Sequence, residues 1–264
     1  VRQILTCRWL LRARRRVFAH LPFMPLVSDV QDVVYLNWVV PLDRVQSLVP
    51  PGLCPWQRDG MTVLTVLTYR HGHFGPPVPK WLRRVFPSPL QSNWRLYLED
   101  SARYSEAVFF IDNVMDSLPY TAGARLLSDA LPTHLADKFR HTTTGDVYET
   151  LIVAGEGSAP DFRCRAERVD ARELPDTLQA WFTSWEDAVA RLTLRQCAIA
   201  RVPDIQRLAI AGIDLPVDVA QVLPLTLQPG SFHSDALHAI IGDALPFCFA
   251  VPEVKFGVLW ERLL

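Results

Sequence analysis

The sequence predicts an α+β fold, a single domain of mostly antiparallel strands with a few short helices. Three observations carry this expectation. Residues 93–99 alternate strictly, with Trp94, Leu96 and Leu98 on one face and Asn93, Arg95, Tyr97 and Glu99 on the other. Residues 33–40 and 61–69 are rich in β-branched and aromatic side chains, as strands are. Twenty-one prolines against 12 glycines point to many short elements joined by rigid turns. In a chain of 264 residues, 49% of them hydrophobic, there is apolar material for one large core.

In chain order, residues 1–28 read as a basic, helical N-terminal segment, and residues 29–264 as the domain. Arg2, Arg8, Arg12, Arg14, Arg15 and Arg16 precede the first acid, Asp29, with Ile4, Leu5, Trp9, Leu10, Leu11, Val17 and Phe18 between them. A helix of this kind can dock on its own domain, or residues 1–20 can rest on an anionic membrane surface. After the first strand, Pro41 opens a helical pattern over 42–49, closed by Pro50, Pro51 and Gly52. Asp59-Gly60 is a turn before the second strand. Residues 71–92 form a Pro-rich loop that Phe74, Trp81 and Phe86 are expected to pack. The alternating strand follows and pairs with residues 106–112. Residues 115–131 read as a helix that Pro119 kinks or restarts. Strands are expected at 135–143, 146–154, 162–169, 197–202, 206–213 and 246–259, with helical turns around Trp181, Phe182 and Trp185.

Composition excludes several functions. A formal charge of −1 argues against nucleic acid as a partner, since phosphate binding needs a cationic excess. The five cysteines are odd in number, with no C-x-x-C pair, so neither a disulfide framework nor a thiolate zinc site is indicated; a reducing, cytoplasmic setting fits. There is no Walker loop, G-x-G-x-x-G, G-x-S-x-G or H-E-x-x-H. Gly155-Glu156-Gly157-Ser158 reads as a turn between strands. His71 and His73 lack a third ligand nearby in sequence, so no metal is expected, and no motif calls for a cofactor.

On the polar face of residues 93–99 an amide, a guanidinium, a phenol and a carboxylate stand together, groups that either grip a polar ligand or face solvent. Lys255, among Val254, Phe256 and Val258, is either a buried amine of lowered pKa or a solvated edge residue.

The order Trp38, Pro41, Pro51-Gly52-Leu53, Asp59-Gly60, a Thr/Val strand, a Pro-rich loop, Asn93-x-Arg95-x-Tyr97, Phe109-Phe110 and Leu118-Pro119-Tyr120 resembles the YqjF-like family of the acetoacetate decarboxylase-like superfamily. The resemblance is best over residues 30–140. It implies a largely antiparallel sheet closed into a conical β-barrel, with peripheral helices and a ligand cavity inside. Acetoacetate decarboxylase keeps adjacent lysines after a proline; here Tyr120 and Thr121 follow Leu118-Pro119, so the resemblance implies loss of Schiff-base chemistry. The family's later His-Pro-Trp segment is also missing. The resulting expectation is a cavity for a small molecule bearing a carbonyl or carboxylate. Asn93, Arg95, Tyr97, Glu99, Tyr120 and Lys255 are the candidate ligand contacts. The alternative is a non-catalytic interaction or membrane-peripheral module that uses the Arg-rich segment.

Overall fold

The computed structural model describes residues 8–18, 22–155 and 159–264. Arg2, Ile4, Leu5, Cys7 and the Glu156-Gly157-Ser158 part of the expected turn lie outside the described residues, as do the side chains of Arg8, Trp9, Leu10, Val17 and Phe18.

Seven strands close a mixed barrel. They are β1 (Leu26–Pro41), β3 (Met61–Arg70), β4 (Leu90–Tyr97), β5 (Ala107–Met115), β10 (Cys197–Val202), β11 (Arg207–Asp214) and β13 (Phe247–Leu263), hydrogen-bonded in that order. Closure comes from β13 pairing back onto β1 from Leu26↔Val258 to Asn37↔Phe247. All these pairings are antiparallel except β5–β10, which is parallel. The 17-residue β13 is long enough to serve two sheets. Its Cys248–Ala250 stretch also holds β12 (Leu223–His233), and β12 leads on to β9 (Phe162–Arg168), β8 (Val147–Val153) and β7 (Lys138–Thr144). Short strands β2 (Gln57–Arg58) and β6 (Thr133–Leu135) edge β3 and β5.

The side sheet explains how both faces of an alternating strand are buried. Trp94, Leu96 and Leu98 point outward and pack with Trp38, Leu64, Phe162 and Cys164 between the two sheets. The inward set packs in a second core, where Tyr35, Tyr69, Tyr97 and Phe110 meet Leu178 from α5 (Asp176–Gln179), Trp185, Val189 and Leu192 from α6 (Trp185–Thr193), and Trp181 and Phe182 from the turn between them. The α6 helix is capped by Ser184, whose side chain accepts from Asp187 N, with Glu186 and Asp187 in the first turn, where acids favour a helix start. It plugs one end of the barrel.

At the N-terminus, α1 (Arg8–Phe18) docks through Arg14 and Arg15, which pair with Asp129, while Arg15 also pairs with Asp204. Those two arginines are spent on the chain itself; Arg12 and Arg16 are exposed. Helices α2 (Leu42–Gln46), α3 (Lys80–Arg83), α4 (Leu118–Leu127) and α7 (Asp235–Ile241) decorate the outside.

Three expectations need correction, and one strand is additional. The helix expected over 115–131 is only α4, because β5 runs through Met115 and Asp116 then accepts from Leu90 N. Pro119 lies in the first turn of α4, where its missing N–H breaks no bond, so nothing kinks. Within the 71–92 loop, Phe74 is buried but Trp81 is 71% exposed, because α3 is anchored by Arg83 pairing with Asp29 rather than by the indole. Finally, β12 was not anticipated as a strand at all.

Candidate functional site

Inside the barrel lies a cavity whose open space, measured for the centres of water-sized molecules, is about 40 Å³. That is room for roughly three waters or a compound of a few heavy atoms. Its walls are mostly apolar (Val30, Val33, Leu67, Phe110, Ala198 among them), with Tyr69, Gln91, Asn93 and Arg95 as the polar groups.

The position of Arg95 follows from local structure. Alternation along β4 turns it inward, and a register shift against β5, where Trp94 faces Asp112 but Arg95 faces Phe110, leaves Ile111 as an extra residue beside it. The Arg95 side chain then reaches the C-terminal end of α6 and donates from Nη2 to Leu192 O at 2.7 Å. Tyr97 Oη donates to the same carbonyl at 2.9 Å. That carbonyl is among the last four of the helix, which lack intrahelical donors, and the negative end of the helix dipole favours a cation there. The guanidinium also lies 5.5 Å from the ring centroids of both Tyr35 and Tyr97.

Arg95 is 3% exposed, yet among the described residues it forms no ion pair, and no acidic side chain lines the cavity. Its Nε has no hydrogen-bond partner, nor has the neighbouring Tyr35 hydroxyl. Burial works against the charged form of Arg95, but the Tyr97 and Tyr35 oxygens outweigh it and hold the pKa above the ordinary arginine value. Burial also pushes Tyr35 up to about 12, so it stays a neutral phenol.

A neutral polar network continues along the same wall. Asn93 Nδ2 donates to Tyr69 Oη at 3.0 Å, and Gln91 Nε2 donates to Asn93 Oδ1 and Asn113 Oδ1. Gln91 Oε1 faces His71 Nε2 at 2.7 Å, and His71 Nδ1 faces Ser28 Oγ at 3.0 Å. His71 is fully buried and stacked on Phe74, and burial lowers its pKa to about 4. It is therefore an uncharged structural link, not a proton donor at neutral pH.

The sequence-chosen residues divide. Asn93 and Arg95 line the cavity, and Tyr97 braces Arg95 from the side. Tyr120 stands one layer back: its hydroxyl donates to Phe74 O at 2.6 Å and its ring stacks on Phe74, which itself lines the cavity. Glu99 is exposed beyond the end of β4, where it accepts from Gln57 N. Lys255 alternates outward from β13 and is exposed. None of the chain's three lysines lines the cavity. Gln91 and Tyr69 are the polar wall groups outside the sequence candidates, although Gln91 shares parity with Asn93 and Arg95, and Tyr69 ends an expected strand.

Three exposed or half-exposed ligand-bearing side chains, Asp161, His233 and Asp235, also cluster at the start of α7, but Asp161 is engaged in accepting from the Asp235 and Ala236 amides. Among the described residues no helix is long and apolar enough to cross a membrane.

A closed seven-stranded mixed barrel with extra strands and few helices is the acetoacetate decarboxylase-like fold. The enduracididine biosynthesis enzyme MppR with HEPES buffer bound matches 92% of this chain and 88% of its own, at 15% identity and a TM-score of 0.56. Acetoacetate decarboxylase from Legionella pneumophila matches 90% of this chain and 86% of its own, at 12% identity and a TM-score of 0.58. An acetoacetate decarboxylase-like enzyme from Sphingomonas wittichii RW1 matches 90% and 92%, at 13% identity and a TM-score of 0.54. At such identities the likeness speaks for the fold alone. No curated protein matches the sequence. The family itself is set by residues 28–189, which match the DUF2071 model, described as an uncharacterized conserved protein; this chain belongs to that family.

Proposed function

We propose that the barrel binds a small carboxylate-bearing compound, with Arg95 as its anion anchor and the apolar walls receiving the rest of the molecule. The observation that carries this reading is a cation 3% exposed, lining a cavity, with no carboxylate of the described residues to pair with it. An anionic ligand adds charge-assisted hydrogen bonds to a guanidinium that otherwise donates, among the described residues, only to Leu192 O and Tyr97 Oη. Asn93 and Tyr69 stand along the wall to orient a second polar group such as a carbonyl. With no lysine, cysteine, histidine or acid on the cavity wall, the proposal is for binding, or for a reaction driven by polarisation at Arg95, rather than for Schiff-base chemistry.

A thermal-shift panel tests this with short monocarboxylic and 2-oxo acids beside their primary amides. The acids are expected to raise Tm in a concentration-dependent way and the amides to leave it unchanged. Equal shifts from acid and amide would refute the anion anchor.

A further inference from the structure

Most of the cavity wall is buried, but four of its residues are only half-buried: Leu131, Ile213, Leu215 and Phe256. These four mark the mouth. Two of them, Ile213 and Leu215, also line a separate open groove on the surface, of about 190 Å³ on the same measure, with Glu106, Arg195, Gln196 and Asp214. The groove and the cavity are therefore the two sides of one thin apolar partition. It lies where β11 ends, at Asp214, and the chain turns out through Leu215 and Pro216.

The groove carries its own cation. Arg195 stacks on Tyr97, 4.7 Å from the ring centroid, so the ring that braces Arg95 inside also holds Arg195 outside. Arg195 Nε is buried without a partner, while its Nη2 donates to Arg191 O. Burial, with the Arg95 charge nearby, lowers its pKa, partly offset by Tyr97, Glu106 and Asp100. Glu106 accepts from Gln196 Nε2 on the rim. Among the groove's lining residues Arg195 is the one cation, against the acids Glu106 and Asp214.

We infer that this groove is the entrance to the buried cavity, with Ile213 and Leu215 as an apolar gate and Arg195 as an outer binding residue that receives a monocarboxylate before it passes to Arg95. The inference rests on the carboxylate-binding reading. Glu106 and Asp214 on the rim oppose negative charge away from Arg195, so a compound carrying a second negative charge is disfavoured more than a single carboxylate. Apolar gate residues separate two sites that share one aromatic brace, which places the arriving carboxylate next to its final anchor.

The test does not depend on equilibrium binding at Arg95. A thiol is placed inside the cavity by Val33→Cys, a change of similar volume, in the full chain. Alkylation of this introduced thiol by iodoacetate and by neutral iodoacetamide is followed by peptide mass spectrometry, each rate taken relative to a free model thiol. Leu215→Trp is expected to slow both reagents at the introduced thiol about tenfold, because access then requires a conformational change. Leu127→Trp, at an exposed position of α4 that lines neither the cavity nor the groove, is expected to leave the rates unchanged. Arg195→Gln should lower the iodoacetate-to-iodoacetamide ratio about threefold, the size of a partly exposed charge interaction, with the iodoacetamide rate unchanged. Circular dichroism of each variant checks the fold. The entrance is refuted if Leu127→Trp slows labelling as much as Leu215→Trp, if Leu215→Trp does not slow it, if the ratio is indifferent to Arg195, or if the introduced thiol is never alkylated. If these labelling results hold while acids and amides shift Tm alike, the entrance stands and the anion anchor fails.

Discussion

Arg95→Met separates a binding residue from a structural one. Methionine keeps most of the length and apolar volume of the side chain and removes the charge. The losses are a charge-assisted hydrogen bond to Leu192 O, worth about 1.5–3 kcal/mol, a long and weak one to Tyr97 Oη at 3.4 Å, and two aromatic contacts of about 0.5–1 kcal/mol each. Leu192 O is not orphaned, because Tyr97 Oη still donates to it. Against this stands the desolvation of a 3% exposed cation without an ion pair, a cost of several kcal/mol that the variant relieves. The terms nearly cancel, and the expected stability change in urea denaturation is within about 1.5 kcal/mol of zero, in either direction. Ligand response is expected to vanish. An acid that stabilises the parent protein by about 2.7 kcal/mol at a hundred times its Kd should shift Tm by roughly 5–10 °C, and should not shift the variant. A loss above about 3 kcal/mol without ligand, or a ligand shift that survives the substitution, would refute the reasoning.

Three further outcomes follow from the same structure. His71, with a folded pKa of about 4 against 6.5 unfolded, must stay neutral in the native state; its contribution is intact above pH 6.5 and is lost as pH falls toward 4, by about 3 kcal/mol. Burial raises Asp112 to about 6, which acts in the opposite sense over the same window, so the slope should be measured in an Asp112→Asn background and should flatten with His71→Gln. Gly72→Ala places a Cβ 2.3 Å from Asp29 O, a backbone atom that cannot swing aside, and should cost about 1–3 kcal/mol while weakening the Ser28–His71 link, read by denaturation and by His71 NMR. A double-mutant cycle on Arg15 and Asp204, whose side chains are 15% and 11% exposed, should give a coupling near 1 kcal/mol that holds α1 to the barrel; a coupling of zero would mean that α1 is held by other contacts.

Much of the wall was legible because strand alternation is local. Residues 93–99 announced two chemically distinct faces, and both are seen, Trp94, Leu96 and Leu98 in one core and Asn93, Arg95 and Tyr97 in the other or on the cavity wall. Which face lay inside the barrel was not legible, because the outward face is covered by a side sheet paired through strands far along the chain. The partner of Arg95 is a backbone carbonyl 97 residues away, which carries no side-chain signal in sequence. β12 contains Pro224, Pro229 and Gly230, residues that strands disfavour; its pairing with β9 shifts register between Leu227 and Phe232, and the prolines fall outside the ladder's regular stretch there or pair with β13. Trp81 misled for the opposite reason: an aromatic in a Pro-rich loop reads as packed, while the loop is pinned by Arg83 and Asp29.

The most direct measurement is a crystal structure of the protein soaked with a short 2-oxo acid. The expected result is a molecule inside the barrel with its carboxylate within hydrogen-bonding distance of the Arg95 guanidinium and its carbonyl toward Asn93 and Tyr69. An acid that stabilises the protein in solution yet binds with its carboxylate away from Arg95 would contradict the anchor on which the reading rests.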